Sequence, residues 1–224
     1  IYAGGSFSTI GDSTRARVAE LNYSTGSSTG WTAGSLSGTV YSILLHNKGL
    51  FIGGAFYSIG GVSRANIALL DTVTGAVDNL SPNANSTVYA MAIDGNVMYV
   101  GGNFTNIGGQ TRNRIAAINV QTGGANSWNP NVSGSGASVR AIGYNDSLIY
   151  IGGKFAAVGS GFNDNFEIVR KSTGVPIGSS FDMSYEVYAV MQFKDTLYIG
   201  GAFERITQVF RSGLAVYTYC IEPE

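Results

Sequence analysis

Four arginines stand eight residues beyond a phenylalanine, at Arg15, Arg64, Arg112 and Arg211, and Asn163 occupies the corresponding place in a further segment. A ring of guanidinium groups could hold carboxylates or phosphates, because each presents a planar fork of donors. Recurrence at one fixed offset points to a local task instead, the satisfaction of loop carbonyls and buried polar groups. The only histidine, His46, falls in a turn with no paired cysteine and no repeated acidic spacing, so neither zinc nor a Ser-His-Asp triad is indicated. Gly134-Ser135-Gly136 and Gly159-Ser160-Gly161 do not run into a helix start, which leaves a nucleotide cradle without support.

The loop Gly161-Phe162-Asn163-Asp164-Asn165 is rich in oxygen, but it offers too few carboxylates for Ca²⁺ and reads as an Asx-rich turn. Trp31 and Trp128 could stack on sugars; their equivalent spacing favours packing between structural units. Glycosidase chemistry needs two facing carboxylates, and no acidic residue recurs at positions expected to line a central channel. Sequons at Asn22, Asn85, Asn131 and Asn145 are candidates for glycosylation, and a fifth, at Asn103, lies at a strand end. The expectation is a chain with no catalytic residues, metal or cofactor.

What positions these residues is a unit written five times. Its signature is Tyr99-Val100-Gly101-Gly102-Asn103-Phe104, with counterparts around Gly4-Gly5, Gly53-Gly54, Gly152-Gly153 and Gly200-Gly201. Successive second glycines are 49, 48, 51 and 48 residues apart. Self-similarity at such a period dictates architecture before any single motif does. The glycine pairs read as sites of unusual φ or close packing.

Before each glycine pair two apolar runs flank turn residues, as in Val88 to Ile93, then Asp94-Gly95-Asn96, then Val97 to Val100, which is a hairpin signal. Hairpins are expected at 40–56, 88–104, 139–155 and 187–203, with only half of one at the start. By simple alternation Val88, Ala90 and Ala92 face one way and Tyr89, Met91 and Ile93 the other, so both sheet faces need cover. A third strand follows the arginine and ends in a Thr-Gly turn at Gly26, Gly75, Gly123 or Gly174. A short fourth, outermost strand is expected to carry Trp31, Leu80 or Trp128, with Phe181 as the nearest equivalent in the fourth copy. The third copy carries an insertion around Val132-Ser133-Gly134-Ser135-Gly136.

Short strands, a period near 50 and apolar character on both faces point to an all-β fold, a β-propeller of four-stranded antiparallel blades. About five blades are expected, the first and last incomplete, with repeats near 1–39, 40–87, 88–138, 139–186 and 187–224 in one domain.

Composition narrows the partners. A formal charge of −1 and 12% charged residues give no long-range attraction for nucleic acid or anionic lipid. With 44% hydrophobic residues the chain is far from the disordered class. No run approaches the roughly 18 apolar residues of a membrane span. The chain opens inside a strand, so it is expected to be part of a longer protein with flanking domains. Its one thiol, Cys220, is either buried or bonded to residues outside this segment.

On Val88-Tyr89-Ala90, Gly101-Gly102-Asn103-Phe104 and Arg112-Asn113-Arg114-Ile115-Ala116 the unit resembles the bacterial delta-60 repeat, and more distantly kelch repeats. The resemblance covers the chain and implies a propeller in a large secreted or cell-surface protein. The expected function is a non-catalytic scaffold or protein-interaction and adhesion platform, its partner a protein or surface glycan. The alternatives are a lectin-like propeller and a glycoside-active one.

Overall fold

A computed structural model describes residues 1–178 and 181–218. Both readings of Cys220 therefore lie outside the described residues. The chain is all-β, and no helix occurs among the described residues. The first sheet pairs Tyr2–Gly4 with Val18–Glu20. Four three-stranded antiparallel sheets follow, each with an inner strand, a central glycine-pair strand and an outer strand. They are Thr39–His46, Gly49–Ala55 and Ile67–Leu70; Val88–Asp94, Val97–Gly102 and Ile115–Asn119; Ser138–Tyr144, Leu148–Lys154 and Phe166–Arg170; and Val187–Phe193, Thr196–Gly201 and Leu214–Thr218.

The expected hairpins are all present. The fourth strand is reduced to one antiparallel bridge per copy, at Leu21–Ser28, Leu70–Val77, Ile118–Ala125 and Val169–Pro176. The Thr-Gly turn explains this reduction. The chain reverses tightly around an Asx side chain, as where Asp71 Oδ1 accepts from the amides of Val73 (2.9 Å) and Thr74 (2.6 Å), and the turn closes on Gly75 at φ 75°. The returning segment then leaves the sheet to pack across the next copy.

Each core lies between copies. Phe51, Ile67 and Leu69 of the second sheet pack with Val88, Val100, Phe104 and Ile118 of the third, and equivalent clusters join the other neighbours. A copy buries its faces only when flanked, so neighbours stabilise each other pairwise. Inner strands of successive sheets lie side by side from Thr39–His46 to Val187–Phe193. Among the described residues no comparable contact joins the fifth sheet to the first. The exposed sheet face of the fifth copy carries Leu214 at 60% exposure, where its counterparts Ile67, Ile115 and Phe166 are fully buried.

Simple alternation fails along the inner strands. Each contains a β-bulge next to its first valine, between Val40 and Ser42, Val88 and Ala90, Val139 and Ala141, and Val187 and Ala189. One extra residue reverses the parity beyond it. Val88 therefore shares a face with Met91 and Ile93, not with Ala90 and Ala92.

The insertion at 132–136 also has a place. Val132–Ser133 pairs with Ala157–Val158, a two-residue version of the single bridges Leu36–Ile59 and Met183–Ile206 made at the same place in other copies.

Candidate functional site: the row of bulge residues

The four bulge residues are Tyr41, Tyr89, Arg140 and Tyr188. A bulged residue has no partner across the ladder, and its side chain is turned out of the regular alternation. Because the preceding valine is seated against the neighbouring sheet, all four positions are held alike. Tyr41 and Tyr188 are about half exposed, and Tyr89 less so.

The side chains form a continuous row. The Tyr41 and Tyr89 rings are 5.2 Å apart at a 56° tilt. The Arg140 guanidinium carbon lies 5.0 Å from the Tyr89 centroid and 5.7 Å from that of Tyr188. Cation–π attraction and the planar shape of the group hold it between the two rings.

Around Arg140 the row becomes charged. Glu186 Oε2 lies 3.6 Å from Arg140 Nε, and its Oε1 lies 3.9 Å from Lys154 Nζ. The first distance gives ionic attraction without a hydrogen bond, and Arg140 Nε is a buried donor without an acceptor. Tyr188 Oη donates to Glu186 Oε2 at 2.8 Å. That bond, then partial burial and the charge of Glu186, push the Tyr188 phenol up, against a smaller opposing effect of Arg140. Beside Tyr89, Asn103 Nδ2 donates to the phenol oxygen at 3.2 Å. The row thus offers aromatic surface, charge-assisted donors and one carboxylate.

The recurrent arginines take the local role. Arg15, Arg64 and Arg112 each donate from Nη1 to the preceding carbonyl and from Nη2 to a carbonyl fourteen residues on, at Thr29, Asp78 and Asn126. They staple the Thr-Gly return to its own loop and form no ring. Arg211 lies on the fifth copy beside Phe181, Val216 and Tyr217. In the fourth copy Asn163 donates to Glu167 Oε2 at 3.2 Å, and the fully buried Glu167 stands where the other copies have Ala19, Ala68, Ala116 and Ala215.

The tryptophans lock neighbours together. Trp31 packs edge-on against Tyr2 at 5.2 Å and donates to Asp71 O at 3.1 Å, while Trp128 meets Tyr99 at 5.2 Å and reaches Arg170 O at 3.5 Å. Both are 6% exposed, which removes them as sugar platforms. Phe181 does the equivalent work between Phe166 and Tyr217.

His46 accepts from the Lys48 amide at 3.3 Å within its turn. Among the described residues no group of three His, Cys, Asp or Glu side chains could hold a metal. In the 161–165 loop, Asp164 N donates to Asp182 Oδ1 at 2.9 Å. Burial, then the charge of Asp182, raise the Asp164 carboxyl. The sequon asparagines serve turns and contacts: Asn22 and Asn145 cap their loops, Asn85 holds Thr105 and Asn106, and Asn131 accepts from Asn113.

The bulge row went unrecognised in the sequence, although its signal is there. Val40-Tyr41-Ser42, Val88-Tyr89-Ala90, Val139-Arg140-Ala141 and Val187-Tyr188-Ala189 share one frame.

A family described as a domain of unknown function (DUF5122) beta-propeller matches residues 50–80 and 94–119. Among curated proteins no sequence matches. Several solved structures share the fold. The computationally designed Ika4 protein has a TM-score of 0.53 at 12% identity, covering 84% of this chain and 96% of that one. The WD40 beta propeller domain of Doa1 has 0.56 at 12%, covering 81% and 53%. A chain of the Mitotic Checkpoint Complex has 0.59 at 16%, covering 84% and 53%. This chain therefore spans about half the length of the latter two. At these identities the likeness concerns the fold: the chain is a β-propeller repeat.

Proposed function

We propose that this β-propeller chain is a non-catalytic recognition module of a secreted or cell-surface protein, acting as a scaffold and protein-interaction or adhesion platform. The observation that carries the reading is the row Tyr41, Tyr89, Arg140 and Tyr188, held by four equivalent bulges. Tyrosine and arginine are the side chains that dominate binding energy at interfaces, because they combine large contact area with directed polar groups. Buried cores between sheets keep the row fixed, so little ordering entropy is lost on docking. Structural likeness to a WD40 domain and to a chain of the Mitotic Checkpoint Complex fits protein docking on such a fold. Location outside the cell follows the resemblance to delta-60 arrays.

A lectin-like reading has lost its tryptophans and rests on the tyrosines alone. Asp164 and Asp182 are neighbouring carboxylates, but both are exposed, and Asp182 is taken up by the Asp164 backbone amide, so they do not form a glycosidase pair.

The test is a displayed random-peptide library panned in parallel with a glycan array. Enriched peptides that lose binding to a combined Y41A, Y89A and Y188A variant support the platform. Glycan hits alone favour the lectin.

A further inference from the structure

We propose that Arg140 is the centre of a carboxylate-binding subsite which takes an acidic side chain from an extended protein segment. This deepens the platform reading and rests on it.

The guanidinium is fixed but not consumed. Its central carbon lies over the rings of both Tyr89 and Tyr188, at 5.0 and 5.7 Å from their centroids. It makes no hydrogen bond among the described residues, and its one ionic neighbour lies 3.6 Å from Nε. Its Nη donors are thus available in the fork geometry that matches a carboxylate. Because the rings already fix the fork, docking costs less rotamer entropy than at a free arginine.

The local charge is positive. Arg140 and Lys154 share the single carboxylate of Glu186, in a chain whose formal charge is −1. Glu186 itself is drawn aside by the Tyr188 hydroxyl at 2.8 Å. It acts as an internal competitor that an incoming carboxylate replaces or joins.

A peptide suits the row better than a uronate sugar. A pyranose beside the guanidinium needs an open aromatic face there, and Tyr89 is already flanked by Tyr41 and Arg140, which leaves the open rings at the two ends of the row. An aspartate or glutamate side chain needs only the fork, while its neighbouring residues lie along the exposed tyrosines.

The experiment is a calorimetric titration of the chain with poly-L-glutamate at low ionic strength, with polygalacturonate as the glycan arm. Arg140→Gln is expected to weaken polyglutamate binding by about ten-fold, as for the loss of a charge-assisted bond. Glu186→Gln is expected to tighten it by roughly three-fold, in the range of exposed ion pairs. Two variants control for overall charge, Lys48→Gln and Asp146→Asn. Both lie in hairpin turns at the far end of inner strands, about 20 Å from the row at ~3.3 Å per residue, and both should leave binding unchanged. Absence of binding, indifference to Arg140→Gln, weakening by Glu186→Gln, or preference for polygalacturonate would each overturn the subsite. Library peptides that need the tyrosines but carry no acidic residue would sink the subsite and leave the platform standing.

Discussion

The Cγ1 atom of Val88 lies 2.6 Å from the point where a Cβ on Gly53 would stand. The valine of one inner strand thus fills the space that glycine leaves open in the sheet before it. The same relation joins Val40 to Gly4 at 2.6 Å, and Val139 to Gly101 and Val187 to Gly152 at 2.5 Å. None of these glycines has positive φ, so space alone demands them. Gly200 has nothing nearer than 3.6 Å. Alanine at Gly53, Gly101 or Gly152 is therefore expected to destabilise the fold by about 1–3 kcal/mol through overpacking. At Gly200 it should be nearly neutral. Chemical denaturation of the four variants checks this, and an equal loss at Gly200 would contradict the spatial explanation.

Trp31 couples two copies through a buried ring and one hydrogen bond to Asp71 O. Trp31→Phe should lose about 1 kcal/mol, the net worth of a hydrogen bond whose acceptor is left behind. Trp31→Ala should lose about 3–5 kcal/mol, because a cavity is added. Urea midpoints give both values. Equal losses for Phe and Ala would mean that the ring's volume matters little.

Glu167 and Gly161 are expected to be coupled. A Cβ on Gly161 would stand 2.3 Å from Glu167 Oε2, so Gly161→Ala must displace a buried carboxylate. With Glu167→Ala, which restores the residue of the other copies, the obstacle is gone. A double-mutant cycle should give a coupling of about 1–2 kcal/mol, as for residues in contact. Additive losses would show that the carboxylate moves freely.

Two carboxylates should titrate in opposite directions. Hydrogen bonds from the Thr74 amide and hydroxyl and the Val73 amide hold Asp71 below the usual range. Its folded-state pKa is depressed, so its contribution to stability is present above the unfolded value and disappears as pH falls through the folded one. Asp164 is raised by burial and by Asp182, so its ionised form opposes folding at neutral pH. Asp164→Asn should raise stability slightly at pH 7, by less than about 0.5 kcal/mol in an exposed, screened setting, with a matching small rise in melting temperature, and not at all below pH 3. Carboxyl NMR titration of both residues, with melting curves at the two pH values, decides the signs.

The sequence by itself determined the repeat, the hairpins, the spacing of the Thr-Gly turns and the demand for cover on both faces. Each of these follows from local periodicity and turn chemistry, which neighbours along the chain specify. It was also enough to assign Arg15, Arg64 and Arg112 to their own loops, because a role repeated in every copy is a role of the copy. Only the tertiary structure decided which way the inner-strand side chains point. Seating Val88 against Gly53 is a contact between copies, and it goes with the extra residue that reverses parity and turns Tyr89 outward. Periodicity cannot register that reversal, since a bulge leaves the order of residues unchanged and alters only their facing. The row of Tyr41, Tyr89, Arg140 and Tyr188 exists for the same reason: residues about fifty positions apart become neighbours only once the sheets are stacked.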